Sequence, residues 1–335
     1  MVVLGITTVS DRDRMQHMPT STVAPNAQAS SRADRFVLNA RALAMLAVNA
    51  RYGFVSSEQH YQHDGGSKQN ASRYLARCVE HKLLRRVDTT PEPFFSSFFD
   101  ARPRTFAITA KGLRALAAAG MSINVAPKKG SVLIAHELAC TDFCFSMNAA
   151  VAAHGGVRLI DQPELMSTMP AATRNLLKPL RLKATVHPRD FPNLTSILKE
   201  PVDVAIEPDR VFALVLPDNT GWACALELDR GTEDLAAHRI QGRATFLRKL
   251  VGYTSCWREK RHITQWSDAF RAFRALVVST SEARIQHMMR LQTTVGAPAG
   301  LFAYSTPERL NNIGALGPAW CNLKQSDLCL VEHRE

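Results

Sequence analysis

The sequence predicts an α+β protein with two domains, and three observations lead to this prediction. Apolar residues at helical spacing dominate the first third of the chain. Short apolar runs bounded by turn residues dominate the remainder, where intervening helices give a mixed α/β arrangement. A length of 335 residues is enough for two domains with separate cores. We therefore divide the chain into a tail (1–30), an N-terminal domain (31–120), a linker (121–130) and a C-terminal domain (131–335).

The composition excludes several classes of protein. Hydrophobic residues make up 46% of the chain and charged residues 21%, as in ordinary globular proteins. No apolar run is long enough to cross a membrane, and the N-terminus lacks the features of a secretory signal. The seven cysteines are scattered without a C-x-x-C pair, which favours reduced thiols over a disulfide scaffold or a zinc ribbon. We therefore expect a cytoplasmic protein with no membrane partner.

The excess positive charge is concentrated in the N-terminal domain and the linker. Residues 31–130 contain 16 Lys and Arg against 7 Asp and Glu, which accounts for +9 of the total net charge of +11. A basic module beside a near-neutral one is typical of a domain that binds a polyanion such as nucleic acid. The alternative is a solvated basic surface without a partner.

The N-terminal domain is predicted to be mainly helical. Three helices begin near Ala33, Ser56 and Ser67, where Ser56 provides a capping hydroxyl for the second. Two strands and a closing helix follow at residues 83–87, 105–108 and 109–116. This order resembles the winged helix-turn-helix. The last segment, Thr105-Phe-Ala-Ile-Thr-Ala-Lys-Gly-Leu-Arg-Ala-Leu, is similar to the segment that follows the wing in many bacterial winged-helix proteins.

The winged-helix resemblance implies that the third helix enters the major groove of double-stranded DNA. The residues of this helix that would face bases or phosphates are Lys68, Gln69, Asn70, Arg73 and Arg77. The wing would contribute Arg85, Arg86, Arg102 and Arg104. Some winged helices bind protein instead, and this alternative stays open. Many act as homodimers on paired half-sites, which is a second open possibility.

The C-terminal domain is predicted to begin with a helix over residues 132–153. This helix contains His136-Glu137-Leu-Ala-Cys140, in which the cysteine departs from the H-E-x-x-H zinc motif and excludes a metalloprotease. His136 and Glu137 either border a site or form a pair on the helix surface. Further strands are predicted at 157–160, 202–206, 208–216, 222–229, 275–279 and 300–304, with helices at 233–260 and 282–291. A basic loop over residues 174–189 is expected to cover the site.

The predicted strand Trp222–Asp229 ends with two acidic residues. Strand side chains alternate between faces, so Glu227 and Asp229 share the face that carries Ala223 and Ala225. Two carboxylates on a buried apolar face are unfavourable unless a cation meets them. That cation is either a divalent metal or a basic side chain, for which the candidates are Arg230, Arg243 and Lys249.

The order of these elements and their charged residues resemble the PD-(D/E)xK nuclease superfamily. More specifically, residues 31–335 resemble the replication-relaxation family of plasmids and other mobile elements. The segments that carry this resemblance are Glu207-Pro-Asp-Arg-Val-Phe-Ala-Leu214, Leu226-Glu-Leu-Asp-Arg-Gly-Thr-Glu233 and Lys249-Leu-Val-Gly-Tyr253. The resemblance implies that the C-terminal domain has a restriction-endonuclease-like fold with a mixed sheet.

The superfamily resemblance also implies a site for Mg²⁺ or Mn²⁺ with Asp209 and Glu227 as ligands and Asp229 as a third acid. Mg²⁺ prefers such carboxylates, and it would polarise a phosphate and activate a water. Asp229 occupies the position of the catalytic lysine of the superfamily, so Lys249 is expected to supply that charge from the following helix, with Arg230 at the border of the site. The expected function is metal-dependent nicking at a replication or mobilisation origin, together with relaxosome or replication proteins. The alternative is a non-catalytic initiator or regulator with an assembly domain.

Overall fold

The computed structural model describes the chain from residue 38 to residue 331, with gaps. The residues outside the description are 1–37, 65, 88–103, 122, 124–133, 237–239, 241–244, 268–269, 271 and 332–335. The predicted tail, most of the predicted linker, and Arg102 and Arg243 therefore lie outside the described residues.

The N-terminal part contains four helices and three short strands in its described residues. These elements are α1 (Ala40–Tyr52), β1 (Phe54–Ser56), α2 (Ser57–Asp64), α3 (Lys68–Glu80), β2 (Leu84–Val87), β3 (Thr105–Ile108) and α4 (Ala110–Ala118). Strand β3 lies between β1 and β2 and pairs antiparallel with both. The side chains of Asn39, Ser67 and Thr109 accept hydrogen bonds from the first turns of α1, α3 and α4, so each helix begins at a cap.

Helix α1 begins at Ala40, because Asn39 is extended and caps it, whereas the predicted start near Ala33 lies outside the described residues. No strand was predicted between the first two helices, but Phe54–Ser56 form β1, a strand too short for an alternating pattern to reveal. The predicted cap of the second helix is confirmed, since Ser56 Oγ accepts from the Gln59 N–H at 3.1 Å.

The C-terminal part is built on a mixed five-stranded sheet. The strands of this part are β4 (Arg158–Ile160), β5 (Leu182–Val186), β6 (Val202–Ile206), β7 (Arg210–Val215), β8 (Gly221–Asp229), β9 (Ala272–Ser279) and β10 (Phe302–Ser305). The five-stranded sheet has the order β10-β9-β8-β7-β4. Its helices are α5 (Ile134–His154), α6 (Gln162–Thr168), α7 (Ala171–Arg174), α8 (Phe246–Arg258), α9 (Arg261–Gln265), α10 (Glu282–Val295) and α11 (Pro307–Ile313). Strand β8 pairs antiparallel with β7 and parallel with β9, while β5 and β6 form a separate antiparallel pair. The predicted α+β class with a mixed sheet is confirmed.

The two faces of β8 pack into different cores, as the predicted alternation requires. Ala223 and Ala225 lie in the core that includes Leu250 of α8 and Ile285 of α10. Cys224, Leu226 and Leu228 point to the opposite face and lie in the core that includes Phe143 and other residues of α5. The central strand is therefore covered on both faces by helices, and its polar C-terminal end is enclosed by the elements around it.

Helix α8 begins much later than predicted. It starts at Phe246 rather than at Glu233, because Thr245 caps it and its Phe246 N–H donates to the Asp234 carbonyl at 3.1 Å. The carbonyls of Asp234 and Leu235 therefore accept from N–H groups of the first turn of α8 and do not belong to the helix. Trp257 near the end of this helix is 40% exposed.

The basic segment 174–189, which was predicted to be a loop, contains strand β5. Leu182, Ala184 and Val186 are buried on one face of this strand, and the residues between them are more exposed. The basic residues around this short alternating pattern hid the strand in the sequence.

Helix α5 contacts both parts of the described chain. Leu138 and Ile134 pack with Phe54 and Ala107 of the N-terminal sheet. Gln59 Nε2 donates to the Leu138 carbonyl at 2.9 Å and to Asp142 Oδ1 at 2.6 Å. Residues Leu38–Glu335 consequently form one compact unit in which α5 is shared.

Candidate active site

A cluster of charged side chains lies at the C-terminal end of β8. It combines Glu227 of β8, Asp209 of the turn between β6 and β7, and Lys249 and Tyr253 of α8. The Asp209 N–H donates to the Leu226 carbonyl at 3.0 Å, and Asp209 Oδ2 accepts from the Leu228 N–H at 2.8 Å. Because these two bonds lie on either side of Glu227 in the chain, they fix the Asp209 carboxylate beside that residue.

Glu227 is buried and has two partners from one face of α8. Its Oε1 accepts a hydrogen bond from the Tyr253 hydroxyl at 2.5 Å, and its Oε2 lies 2.9 Å from Lys249 Nζ. Burial raises the pKa of Glu227 to about 7; the Lys249 ammonium opposes this shift and the Asp209 carboxylate adds to it. Because its pKa is about 7, the Glu227 carboxyl group is only partly ionised at neutral pH.

Lys249 is held between two carboxylates. Its Nζ lies 2.9 Å from Glu227 Oε2 and 2.9 Å from Glu233 Oε2. Burial alone would lower the pKa of Lys249, but the charges of Glu227, Asp209 and Glu233 raise it above its ordinary value. The lysine is therefore fully protonated at neutral pH.

Asp209 also contacts helix α5. Its Oδ1 lies 2.8 Å from His136 Nε2. Burial alone would raise the pKa of Asp209, but the His136 hydrogen bond and the nearby positive charges bring it below its usual range. The neighbouring Glu137 is paired with Arg210 at 2.7 Å, and Arg210 also donates to the Asp209 carbonyl at 2.8 Å. Two of the three residues considered as a site border thus act on Asp209: His136 contacts its side chain directly, and Glu137 holds Arg210, which donates to its backbone.

Asp229 belongs to a different set of contacts. Its carboxylate accepts from Arg284 Nε at 2.5 Å and from Arg284 Nη2 at 2.8 Å, and it also accepts from Ser279 Oγ at 2.6 Å. Of the two predicted acids on β8, only Glu227 is paired with Lys249. Arg230, the next residue, is half-buried.

Three residues of this region were not assigned a role in the sequence analysis. Glu233 and Tyr253 lie inside the segments that carry the family resemblance, so a signal for them was present. Arg284 lies on α10, 55 residues after its partner Asp229, and no local pattern pointed to it.

The basic segment before β5 is attached to the same turn as Asp209. Lys178 Nζ and Arg181 Nη2 lie 2.6 Å and 3.0 Å from Glu207 Oε2. The side chain of Leu177, directly before Lys178, is 97% exposed. The prediction that this segment lies near the site agrees with these contacts, although part of it is a strand.

The residues of the proposed DNA interface are on the surface wherever the structure describes them. Most are exposed, namely Lys68, Gln69, Asn70 and Arg73 of α3, Arg85 and Arg86 of β2, and Arg104 before β3; Arg77 is half-buried. Lys68 Nζ lies 3.1 Å from Glu58 Oε1, so this lysine already has one acidic partner.

The donor atoms of the cluster suit a divalent cation. Asp209, Glu227 and Glu233 contribute three carboxyl groups, against the single ammonium of Lys249 and the imidazole of His136. A buried carboxyl group with a raised pKa gains from an additional positive charge. Oxygen donors of this kind are the ligands that Mg²⁺ prefers. The residues present therefore fit the cation that the sequence resemblance implies.

The fold and this cluster define an α+β protein with a buried carboxylate–lysine site at the end of a central strand. The chain belongs to the replication-relaxation family, whose model matches residues 46–267. Membership indicates a function related to DNA replication or mobilisation. No curated protein and no solved structure matches the chain. None of the helices in the described part of the chain combines the length and the apolar character that a membrane span requires.

Proposed function

We propose that the protein binds double-stranded DNA of a plasmid or other mobile element and nicks it at an origin with the help of Mg²⁺ or Mn²⁺. The observation that carries this proposal is the 2.9 Å contact between Lys249 Nζ and Glu227 Oε2, beside Asp209. In this proposal Lys249 of α8 replaces the lysine that PD-(D/E)xK nucleases carry on the strand. Asp229, which occupies the strand position, is bonded to Arg284 instead.

Each residue of the site has a distinct role in this proposal. Asp209 and Glu227 would hold the metal, which when bound supplies a Lewis acid for the phosphate and lowers the pKa of a water. Lys249 stays charged and stabilises the negative charge that develops on the phosphate. Tyr253 orients Glu227 through its 2.5 Å hydrogen bond. His136 orients Asp209, and Glu233 holds the lysine in place.

The N-terminal part is proposed to supply most of the DNA affinity. The net charge of +9 over residues 31–130 and the exposed basic residues on α3 and β2 support this role. Phosphate contacts by Arg73, Arg85 and Arg86 would make the affinity fall steeply with salt. In this proposal the protein acts in the cytoplasm, where its DNA is located, and a homodimer on paired half-sites is compatible with it.

The test uses negatively supercoiled plasmid that carries the origin of the element. Wild-type protein, the Glu227→Gln variant and the matched control Glu200→Gln are added with Mg²⁺ or Mn²⁺, and with EDTA. Glu200 is an exposed acid just before β6. The expected result is open-circular DNA from wild type and Glu200→Gln only when metal is present. Equal nicking by Glu227→Gln would refute the residue assignment.

A second candidate function is that of a non-catalytic initiator or regulator. The observation that favours it is that each acid of the site already has a partner within the protein: His136 for Asp209, Lys249 for Glu227 and Arg284 for Asp229. Such a network can be purely structural. Intact supercoils over a range of metals and salt concentrations, with DNA binding retained, would favour this candidate over the nickase.

A further inference from the structure

Helix α5 and the turn before β7 bring together His136, Cys140 and Asp209. Their donor atoms all lie within 4.8 Å of one another, and the shortest separation is the 2.8 Å between His136 Nε2 and Asp209 Oδ1. In the described part of the chain this is the one such group of three or more His, Cys, Asp or Glu residues. The proposed nicking site uses Asp209 but leaves Cys140 without a role.

The three side chains are positioned by contacts that do not depend on a ligand. His136 and Cys140 are four residues apart on α5 and therefore project from the same face of the helix. Hydrogen bonds to Leu226 and Leu228 hold Asp209 from the strand side, which directs Oδ1 toward α5. The 2.7 Å pair between Glu137 and Arg210 ties the helix to the turn.

We propose that His136, Cys140 and Asp209 form a zinc site. An imidazole nitrogen, a thiolate sulfur and a carboxylate oxygen are all ligands of Zn²⁺, whereas Mg²⁺ takes oxygen ligands. Three protein ligands leave the fourth tetrahedral position for water, as in catalytic zinc sites. One thiolate and one carboxylate balance the charge of Zn²⁺, so the half-buried location carries no net charge.

The distances are compatible with this ion. Metal–ligand bonds of about 2.0–2.3 Å place tetrahedral ligands roughly 3.3–3.7 Å apart. The three donor atoms already lie within 4.8 Å of each other. The contact between His136 and Asp209 has to open by only about 0.5 Å, which follows from the same bond lengths.

Zinc at this position would affect nicking, and this consequence rests on the proposed function. Asp209 belongs both to the zinc site and to the proposed magnesium site. Zinc bound by His136 and Cys140 would therefore withdraw Asp209 from the site that acts on DNA. Free zinc would act as an inhibitor of the Mg²⁺-dependent reaction.

The test measures metal binding by the purified full chain without DNA. Zn²⁺ is titrated in competition with a chromogenic chelator, and Co²⁺ is used as a spectroscopic probe. The expected result is one tightly bound ion per chain and a thiolate-to-cobalt charge-transfer band. Cys140→Ala should lose the band and at least tenfold in zinc affinity. Cys144→Ala, one helical turn further along α5, is the matched control and should keep both.

Absence of the charge-transfer band, or equal zinc affinity in Cys140→Ala, would overturn the proposal. Circular dichroism checks that each variant is folded. If Cys140→Ala does not fold, His136→Gln serves instead, with the same expected loss of affinity and refutation by unchanged affinity. Because this experiment contains no DNA, its outcome is independent of nicking. If zinc inhibits nicking by the wild type and inhibits nicking by Cys140→Ala less strongly, the zinc site and the proposed magnesium site are coupled through Asp209.

Discussion

Glu227 and Asp229 lie two residues apart on the same face of β8, and both are buried, yet their surroundings differ. The Asp229 carboxylate is bonded to the Arg284 guanidinium at 2.5 Å and 2.8 Å and to the Ser279 hydroxyl at 2.6 Å. Glu227 has a single ammonium, that of Lys249, which it shares with Glu233.

The two acids show that one strand can carry a carboxylate that a guanidinium fully pairs and a second that has only a shared ammonium. A bidentate guanidinium matches a carboxylate in both charge and geometry, so Asp229 is satisfied by the protein itself. An ammonium shared by Glu227 and Glu233 leaves this region with excess negative charge. That excess makes Glu227, and not Asp229, the acid that is suited to an additional cation.

The largest effect is expected from Arg284→Met. Removal of the guanidinium leaves Asp229 buried without its cation, so the free energy of unfolding should fall by about 3 kcal/mol or more. Urea denaturation measures this change. Adding Asp229→Asn to the variant should recover part of the loss, because the uncompensated charge is then removed. A loss below about 1 kcal/mol is the value of an exposed surface ion pair. It would contradict the conclusion that Asp229 depends on Arg284 for its charge compensation.

Lys249→Met tests the region of Glu227. The nicking rate should fall on the order of 100-fold, because the charge that stabilises the phosphate is lost. The rate is measured on supercoiled plasmid at saturating metal. Lys199→Met, which removes an exposed lysine just before β6, is the control and should nick like wild type. An unchanged rate in Lys249→Met would show that this lysine takes no part in the reaction.

The stability of the wild type should depend on pH in a way that Glu227→Gln does not. Unfolded glutamate ionises near its ordinary pKa, whereas Glu227 in the folded protein keeps its proton until about pH 7. Between these values the folded state binds more protons, so the free energy of unfolding falls as pH rises from about 4.5 to about 7. Asp142, whose pKa burial also raises to about 7, contributes equally to both proteins and cancels. Parallel stability curves for the two proteins would contradict this prediction.

The smallest effects are expected from the two hydroxyl groups that donate to these acids, those of Tyr253 and Ser279. Tyr253→Phe and Ser279→Ala each remove one hydrogen bond to a buried acid and should lower the free energy of unfolding by about 1 kcal/mol. Tyr253→Phe keeps the ring beside Phe273 and Phe302. Only Tyr253→Phe should also slow nicking, by several-fold, since it alone orients Glu227. Equal slowing by both variants would show that the two acids act together.

The sequence determined the local features and the family. The cap at Ser56, the alternation along β8 and the α+β class follow from residue types and spacing within short segments. The motif segments also contained Asp209, Glu227 and Lys249, and hence the charged residues that the structure brings together. These features could be predicted because each depends on neighbours only a few residues away.

The tertiary structure alone decided which charges meet. Asp229 binds Arg284, 55 residues later, and Asp209 meets His136, 73 residues earlier, because strand order and helix packing bring these segments together. The late start of α8 at Phe246 likewise depends on the carbonyls of Asp234 and Leu235, which accept from the first N–H groups of the helix. Such pairings have no period or cap in the sequence, and for this reason the different partners of Glu227 and Asp229 emerged only from the folded chain.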